Sequence, residues 1–217
     1  MARRFYPERH HRRSIRLKGY DYGQAGAYFV TCCTHQRACS FGEVVEGRPI
    51  LSGYGRVLVA EWERTAELRD YVQLDAYVVM PNHFHGIIWI VRDGRGRCRG
   101  TMHRAQEDGT TRRAPTGGST EERFGKPVVG SLPSIMRAFK GAVTRQLNGM
   151  RGTPGAPVWQ RNYFEHVIRT ERALNAIRGY IADNPARWRL DRYHPSPAGV
   201  DPQAAELWRL MQEDAGP

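Results

Sequence analysis

The chain of 217 residues is long enough for one domain of ordinary size with one or two embellishments. Its 33 Lys and Arg against 22 Asp and Glu give a formal net charge of +11, which favours polyanionic partners, nucleic acid ahead of a membrane surface. No apolar run reaches the length of a membrane span and no apolar stretch follows the basic Met1-Ala2-Arg3-Arg4 start; Cys32, Cys33, Cys39 and Cys98 show neither Cys-x-x-Cys spacing nor a disulfide framework, so a reduced cytoplasmic setting is expected.

In chain order, residues 1–18 hold seven Arg or Lys and one acid, and read as a basic N-terminal arm able to lie on phosphates, with Arg12, Arg13, Arg16 and Lys18 as DNA contacts. Ala27 to Thr34 reads as a first strand, and residues 41–53 as a short hairpin around Glu46-Gly47. Val57, Leu58, Trp62, Thr65 and Leu68 recur at helical spacing and predict a helix from Tyr54 to Arg69. Two strands follow, Tyr71 to Met80 and Phe84 to Val91, separated by Pro81-Asn82. Residues 92–131, with nine basic and five acidic residues and few large apolar ones, read as a flexible insertion.

Order is expected to return at Ser131-Leu132-Pro133, where Pro marks a helix start. Ile135, Met136, Phe139, Val143 and Leu147 make its apolar stripe, and Arg137, Lys140 and Arg145 give it a basic face for phosphate. Val158 to Ile168 is a fourth strand or extended connector, with Arg169 beyond it as a further DNA contact. Thr170 is suited to cap a last core helix, Glu171 to Asn184, which Pro185 should stop. Residues 191–217 form a tail with a short helix through Leu207, Leu210 and Met211. The order β-α-β-β-α-β within a 19–190 domain predicts an α+β, ferredoxin-like sandwich: an antiparallel sheet with helices on one face.

The chemistry gathers at two segments. His83 and His85 stand two apart on a strand, so their imidazoles project to one face while Phe84 faces away. Neutral imidazole is a common ligand for divalent metals, so the pair is half of a metal site. Tyr180 and Asn184 are four apart on the last helix and share a face. Asn184 offers an amide oxygen as third metal ligand, and Tyr180 offers a phenol for attack on a phosphodiester, leaving a phosphotyrosine and a free 3′-hydroxyl. Rivals exist for both roles: Tyr163, in an aromatic cluster with Trp159 and Phe164, for the nucleophile, and His166 for the third ligand.

His83-Phe84-His85 on a strand, a basic helix, Trp159-Gln160 with Tyr163 to Arg169, then Tyr180-Ile181-x-x-Asn184-Pro185 together resemble the single-tyrosine transposases of the HUH endonuclease superfamily, most closely their REP-associated branch. The resemblance covers roughly 15–91 and 131–190; the arm and the 92–131 insertion depart from it. It implies Mg2+ or Mn2+ on His83, His85 and Asn184, Tyr180 joined to the 5′ end of a single strand cut beside a hairpin, residence with bacterial nucleoid DNA, and a possible homodimer. A non-catalytic DNA-binding protein or repressor descended from such a transposase is the alternative function.

Overall fold

A computed structural model describes residue 17, residues 20–91 and residues 127–215. Arg12, Arg13, Arg16, Lys18, Cys98 and nearly all of the expected insertion lie outside the described residues. Among these residues six strands and four α-helices follow in chain order: β1 (Gly26–Cys33), β2 (Gly42–Val45), β3 (Arg48–Leu51), α1 (Gly53–Glu67), β4 (Val72–Met80), β5 (His83–Ile90), α2 (Leu132–Arg151), β6 (Phe164–Ile168), α3 (Glu171–Asp183) and α4 (Pro202–Ala215). The main sheet runs β4-β5-β1-β6 with every neighbour antiparallel, and β2 and β3 make a separate hairpin. That order is the ferredoxin-like arrangement of an α+β sandwich, as expected.

Alternation along the strands feeds two cores. Tyr28, Val30 and Cys32 of β1 and Phe84, Ile88 and Ile90 of β5 pack beneath α1 and α2, with Leu58, Trp62, Phe139 and Val143. Ala27, Phe29, Met80 and Ile87 point the other way, under Leu174, Ile177 and Tyr180 of α3 and Leu207 and Met211 of α4. The expectation of helices on one face holds for α1 and α2, the helices of the β-α-β-β-α-β unit, and is corrected for the rest: α3 and α4 cover the other face. The cause is that both faces of β1 and β5 are apolar, as strands buried on both sides must be.

Local signals set the helices. Ser52 caps α1, its Oγ accepting from Gly55 N at 3.1 Å, and Thr170 caps α3 by accepting from Ala173 N at 3.2 Å. Gly86 lets Trp62 close on the sheet, since a Cβ there would lie 2.8 Å from Trp62 Cζ2 and from Phe84 Cζ. Pro185 stops α3 as expected, at Asp183 with Asn184 as its C-cap, but Asn184 keeps helical φ −54° and ψ −42°, and the chain runs on through a 3-10 turn, Pro185–Leu190. The Asn184 side chain is thereby held one turn beyond Tyr180. The C-terminal segment is part of the fold: Asp214 of α4 accepts from Arg169 N at 3.0 Å and from Thr170 Oγ1 at 2.8 Å, and lies 3.1 Å from His166 Nε2.

Arg178 clamps α3 onto the sheet, with Nη2 2.6 Å from Asp75 Oδ2 and Nε 3.0 Å from Oδ1, while Trp89 Nε1 also donates to that carboxylate at 3.0 Å. Chiefly through the Arg178 hydrogen bonds, the Asp75 acid is lowered from 3.8 to about 2. A carboxylate lowered on folding stabilises the fold fully above its ordinary value, and this contribution fades as pH falls toward the folded value. Asp75→Asn should therefore flatten the stability curve between 3.8 and about 2, read by urea unfolding across that range. An unchanged curve would mean the clamp adds nothing to stability.

Candidate active site

His83 and His85 open β5, on the α3 side of the sheet, and Phe84 turns away to pack on Trp62 at 4.7 Å between ring centroids. Their imidazole centroids lie 4.6 Å apart, and the residues are only 0% and 2% exposed. Asn82 fixes the first ring. Its amide nitrogen donates to the carbonyls of Tyr193 at 2.7 Å and Arg37 at 3.3 Å, which turns Oδ1 toward His83 Nδ1 at 2.9 Å. His83 must then donate through Nδ1 and present the lone pair of Nε2, a tautomer assigned by the network. His85 Nδ1 is occupied by Thr31 Oγ1 at 2.8 Å, so its Nε2 is the nitrogen that faces Tyr180.

Burial keeps both rings neutral, the state a metal requires. It is the main cause in each case: His85 is pushed down to about 3, and His83 lies well below its ordinary value, helped by its neighbour His85.

Tyr180 and Asn184 arrive from the opposite layer. Tyr180 Oη is 3.5 Å from His85 Nε2, and its ring meets those of His85 at 5.3 Å and Phe29 at 6.5 Å. Burial first, and then the negative field of Asp191, hold the phenol protonated well above its ordinary value. Asn184 donates through Nδ2 to Asp191 Oδ2 at 3.2 Å, leaving its Oδ1 buried. Asp191, absent from the sequence expectations, is a full member of the cluster. One nitrogen from each histidine and one Asp191 oxygen lie within 4.8 Å of one another, and His83 Nε2 is 3.7 Å from Asp191 Oδ2.

The donor set fits a divalent cation. His83 Nε2 and Asn184 Oδ1 are buried acceptors that make no hydrogen bond among the described residues, each an unmet cost of about 1–3 kcal/mol. Two imidazole nitrogens, a carboxylate and an amide oxygen form a mixed nitrogen–oxygen shell suited to first-row divalent ions.

The other expected residues lie elsewhere. Arg137 and Arg145 are exposed on α2, across the sheet from the imidazoles. Lys140, also on α2, donates to the carbonyls of Gln160 at 2.9 Å and Asn162 at 3.1 Å, which commits its ammonium to bracing the segment before β6. Arg169 donates through Nη1 to Asp214 O at 3.1 Å, at the junction with α4. Tyr163 packs against the α1–α2 core, away from the histidines. His166 is engaged by Asp214, so it is not placed as a third ligand.

No family model matches the chain. A protein of Haemophilus influenzae, itself uncharacterized, is 36% identical over 186 residues, which cover 85% of this chain and 94% of that protein. The chain belongs to the same family as this Haemophilus protein. Among solved structures it is similar to a REP-associated tyrosine transposase bound to a REP hairpin, with a TM-score of 0.44 and 18% identity over 75% of this chain and 68% of that one. It is also similar to a candidate transposase of Deinococcus radiodurans, with a TM-score of 0.36 and 16% identity over 77% of this chain and 95% of that one. Among the described residues no helix is long and apolar enough to cross a membrane.

Proposed function

We propose that the chain is a divalent-metal-dependent strand transferase of single-stranded DNA, a transposase-type enzyme that cuts and rejoins beside hairpins through Tyr180. The observation that carries this reading is the convergence of two neutral imidazoles, Asp191 and the unpartnered Asn184 oxygen beside the Tyr180 hydroxyl, 3.5 Å from His85 Nε2. The motif resemblance to single-tyrosine HUH transposases supports it, as does the net charge of +11.

His83, His85, Asp191 and Asn184 would hold the ion, Mg2+ or Mn2+. When bound, the ion supplies charge that polarises the scissile phosphate and eases loss of the phenol proton. Tyr180 Oη releases its proton to solvent and attacks phosphorus. The P–O3′ bond breaks as the Oη–P bond forms, the leaving oxygen takes up a proton, and the products are a 5′-phosphotyrosine and a free 3′-hydroxyl. Rejoining is the reverse, with a 3′-hydroxyl displacing Tyr180. Conserving the phosphoester in this way needs no external energy source. A hydrolase would need only the ion and a water, so a tyrosine buried against one of the histidines favours transfer over hydrolysis.

The test is a denaturing gel. Labelled single-stranded hairpin oligonucleotide with Mn2+ is expected to give a protein-linked band that EDTA abolishes. Cleavage without the linked band would replace this reading by a metal hydrolase, and binding without cleavage by a repressor.

A further inference from the structure

The reacting cluster is buried, and what lies over it is specific. The Tyr193 ring sits 4.7 Å from that of His83 and 6.2 Å from that of His85, and two guanidiniums flank it, Arg37 Cζ at 5.5 Å and Arg192 Cζ at 5.2 Å from its centroid. Both arginines are exposed. Among the described residues neither pairs with a carboxylate, whereas Arg178 and Arg187 do. Arg192 also lies 5.2 Å from the centroid of Trp208, which holds its head by a second aromatic face.

The backbone that presents Arg37 is strained. Gln36 and Arg37 are successive non-glycine residues in the left-handed region, at φ 54° and 56°. That turn is held by Arg37 N donating to Thr34 O at 3.1 Å and by Asn82 Nδ2 donating to Arg37 O. Strained backbone that the surroundings hold in place is a feature of binding and catalytic sites. Arg37 and Arg192 are also tied to each other, Arg37 Nη1 donating to the Arg192 carbonyl at 3.3 Å. Asn82 therefore joins the His83 ring, the Arg37 turn and the Tyr193 backbone in one network.

We infer that Arg37 and Arg192 form a phosphodiester-binding subsite at the mouth of the metal cluster, gripping the strand at a phosphate next to the one that reacts. The assignment rests on the reading that the site takes nucleic acid. Guanidinium is suited to it: planar, permanently charged, and able to donate two parallel hydrogen bonds to phosphate oxygens. The positive fields of Arg37 and Arg192 already reach the imidazoles, each lowering the proton affinity of one of them, so the subsite lies within electrostatic range of the reacting centre. Tyr193 sits between the two guanidiniums and over the histidines, and a phosphate bridging the arginines would have to move that ring aside. Nothing in the sequence pattern set these residues apart: Arg37 lies in a short loop and Arg192 in the tail.

The experiment follows the affinity of a fluorescein-labelled single-stranded oligonucleotide against NaCl, for the wild-type chain and for Arg37→Gln, Arg192→Gln and the double variant. Each phosphate contact to a single strand contributes about 0.7 to the slope of log affinity on log salt. Each single variant should lower the slope by about 0.7 and the double variant by about 1.4. The rise in melting temperature on adding Mn2+ should stay at its wild-type value, showing the metal cluster intact. Double replacement by Lys should restore most of the slope, because the charge returns. An unchanged slope in the double Gln variant overturns the subsite, as does a Lys pair that behaves like the Gln pair. The outcome separates from that of the nucleophile: a reduced slope without a protein-linked band in the wild type keeps the subsite and removes Tyr180 chemistry, and the converse removes the subsite alone.

Discussion

Tyr180→Phe should abolish the protein-linked DNA band, lowering its rate of formation by at least ~10⁴-fold, the scale seen when a covalent nucleophile is removed. The substitution suits the purpose because Phe keeps the ring that packs on Phe29 and His85 and deletes only the hydroxyl near His85 Nε2. Folding and the thermal response to Mn2+ should therefore persist. The phenol is buried and held protonated, so its reactivity depends on the cluster. Loss of the metal by EDTA and loss of the hydroxyl should thus remove the same product. Tyr193 is the sharpest internal control. Its ring also faces the histidines, and burial pushes its phenol up to about 12. Tyr193→Phe should leave the linked band in place. If the band survives in Tyr180→Phe and maps to Tyr193 or Tyr163 by peptide analysis, the assignment of the nucleophile is wrong.

Periodicity carried much of the architecture. The apolar runs of β1 and β5, rich in β-branched and aromatic residues, marked them as strands, and the stripes of α1, α2 and α3 were legible because each buries one continuous row of side chains. Both faces of the sheet were not, because two-sided burial of β1 and β5 reads as a plain apolar run, without saying how many layers cover it. In the candidate site, the shared face of His83 and His85 follows from strand alternation and that of Tyr180 and Asn184 from helical spacing, both local rules. Asp191 was not legible: it stands beyond the helix, past the Pro185–Leu190 turn, and reaches His83 only because Asn184 stays helical and carries the chain around. The only sequence signal was an acid within one short turn of the Tyr-Asn segment. Lys140 shows the opposite failure. A basic residue on an amphipathic helix was expected to face phosphate, yet its ammonium donates to two backbone carbonyls of the protein itself.

Binding of the proposed ion carries the second large expected effect, and it turns on residues that cost the protein stability. Buried acceptors such as His83 Nε2 and Asn184 Oδ1 disfavour folding, and the Asp191 carboxyl is raised above its ordinary value chiefly by burial. Asp191→Asn keeps the shape and removes the charge. In EDTA its melting temperature should equal or exceed that of the wild type, because the burial of the charge outweighs the hydrogen bonds it accepts from Tyr193 N and Asn184 Nδ2. In Mn2+ the order should reverse. A ligand at 100 times its Kd stabilises the fold by about 2.7 kcal/mol, and the wild type should gain this while Asp191→Asn and His83→Ala gain little. Asn82→Ala tests the supporting layer. It leaves every proposed ligand in place but frees the His83 ring to change tautomer, so affinity should fall about 10–100-fold, less than for loss of a ligand. Differential scanning fluorimetry across a Mn2+ titration reads all three variants. An equal Mn2+ shift in the wild type, His83→Ala and Asp191→Asn would show that the ion binds elsewhere, and a smaller loss in His83→Ala than in Asn82→Ala would invert the roles of ligand and support.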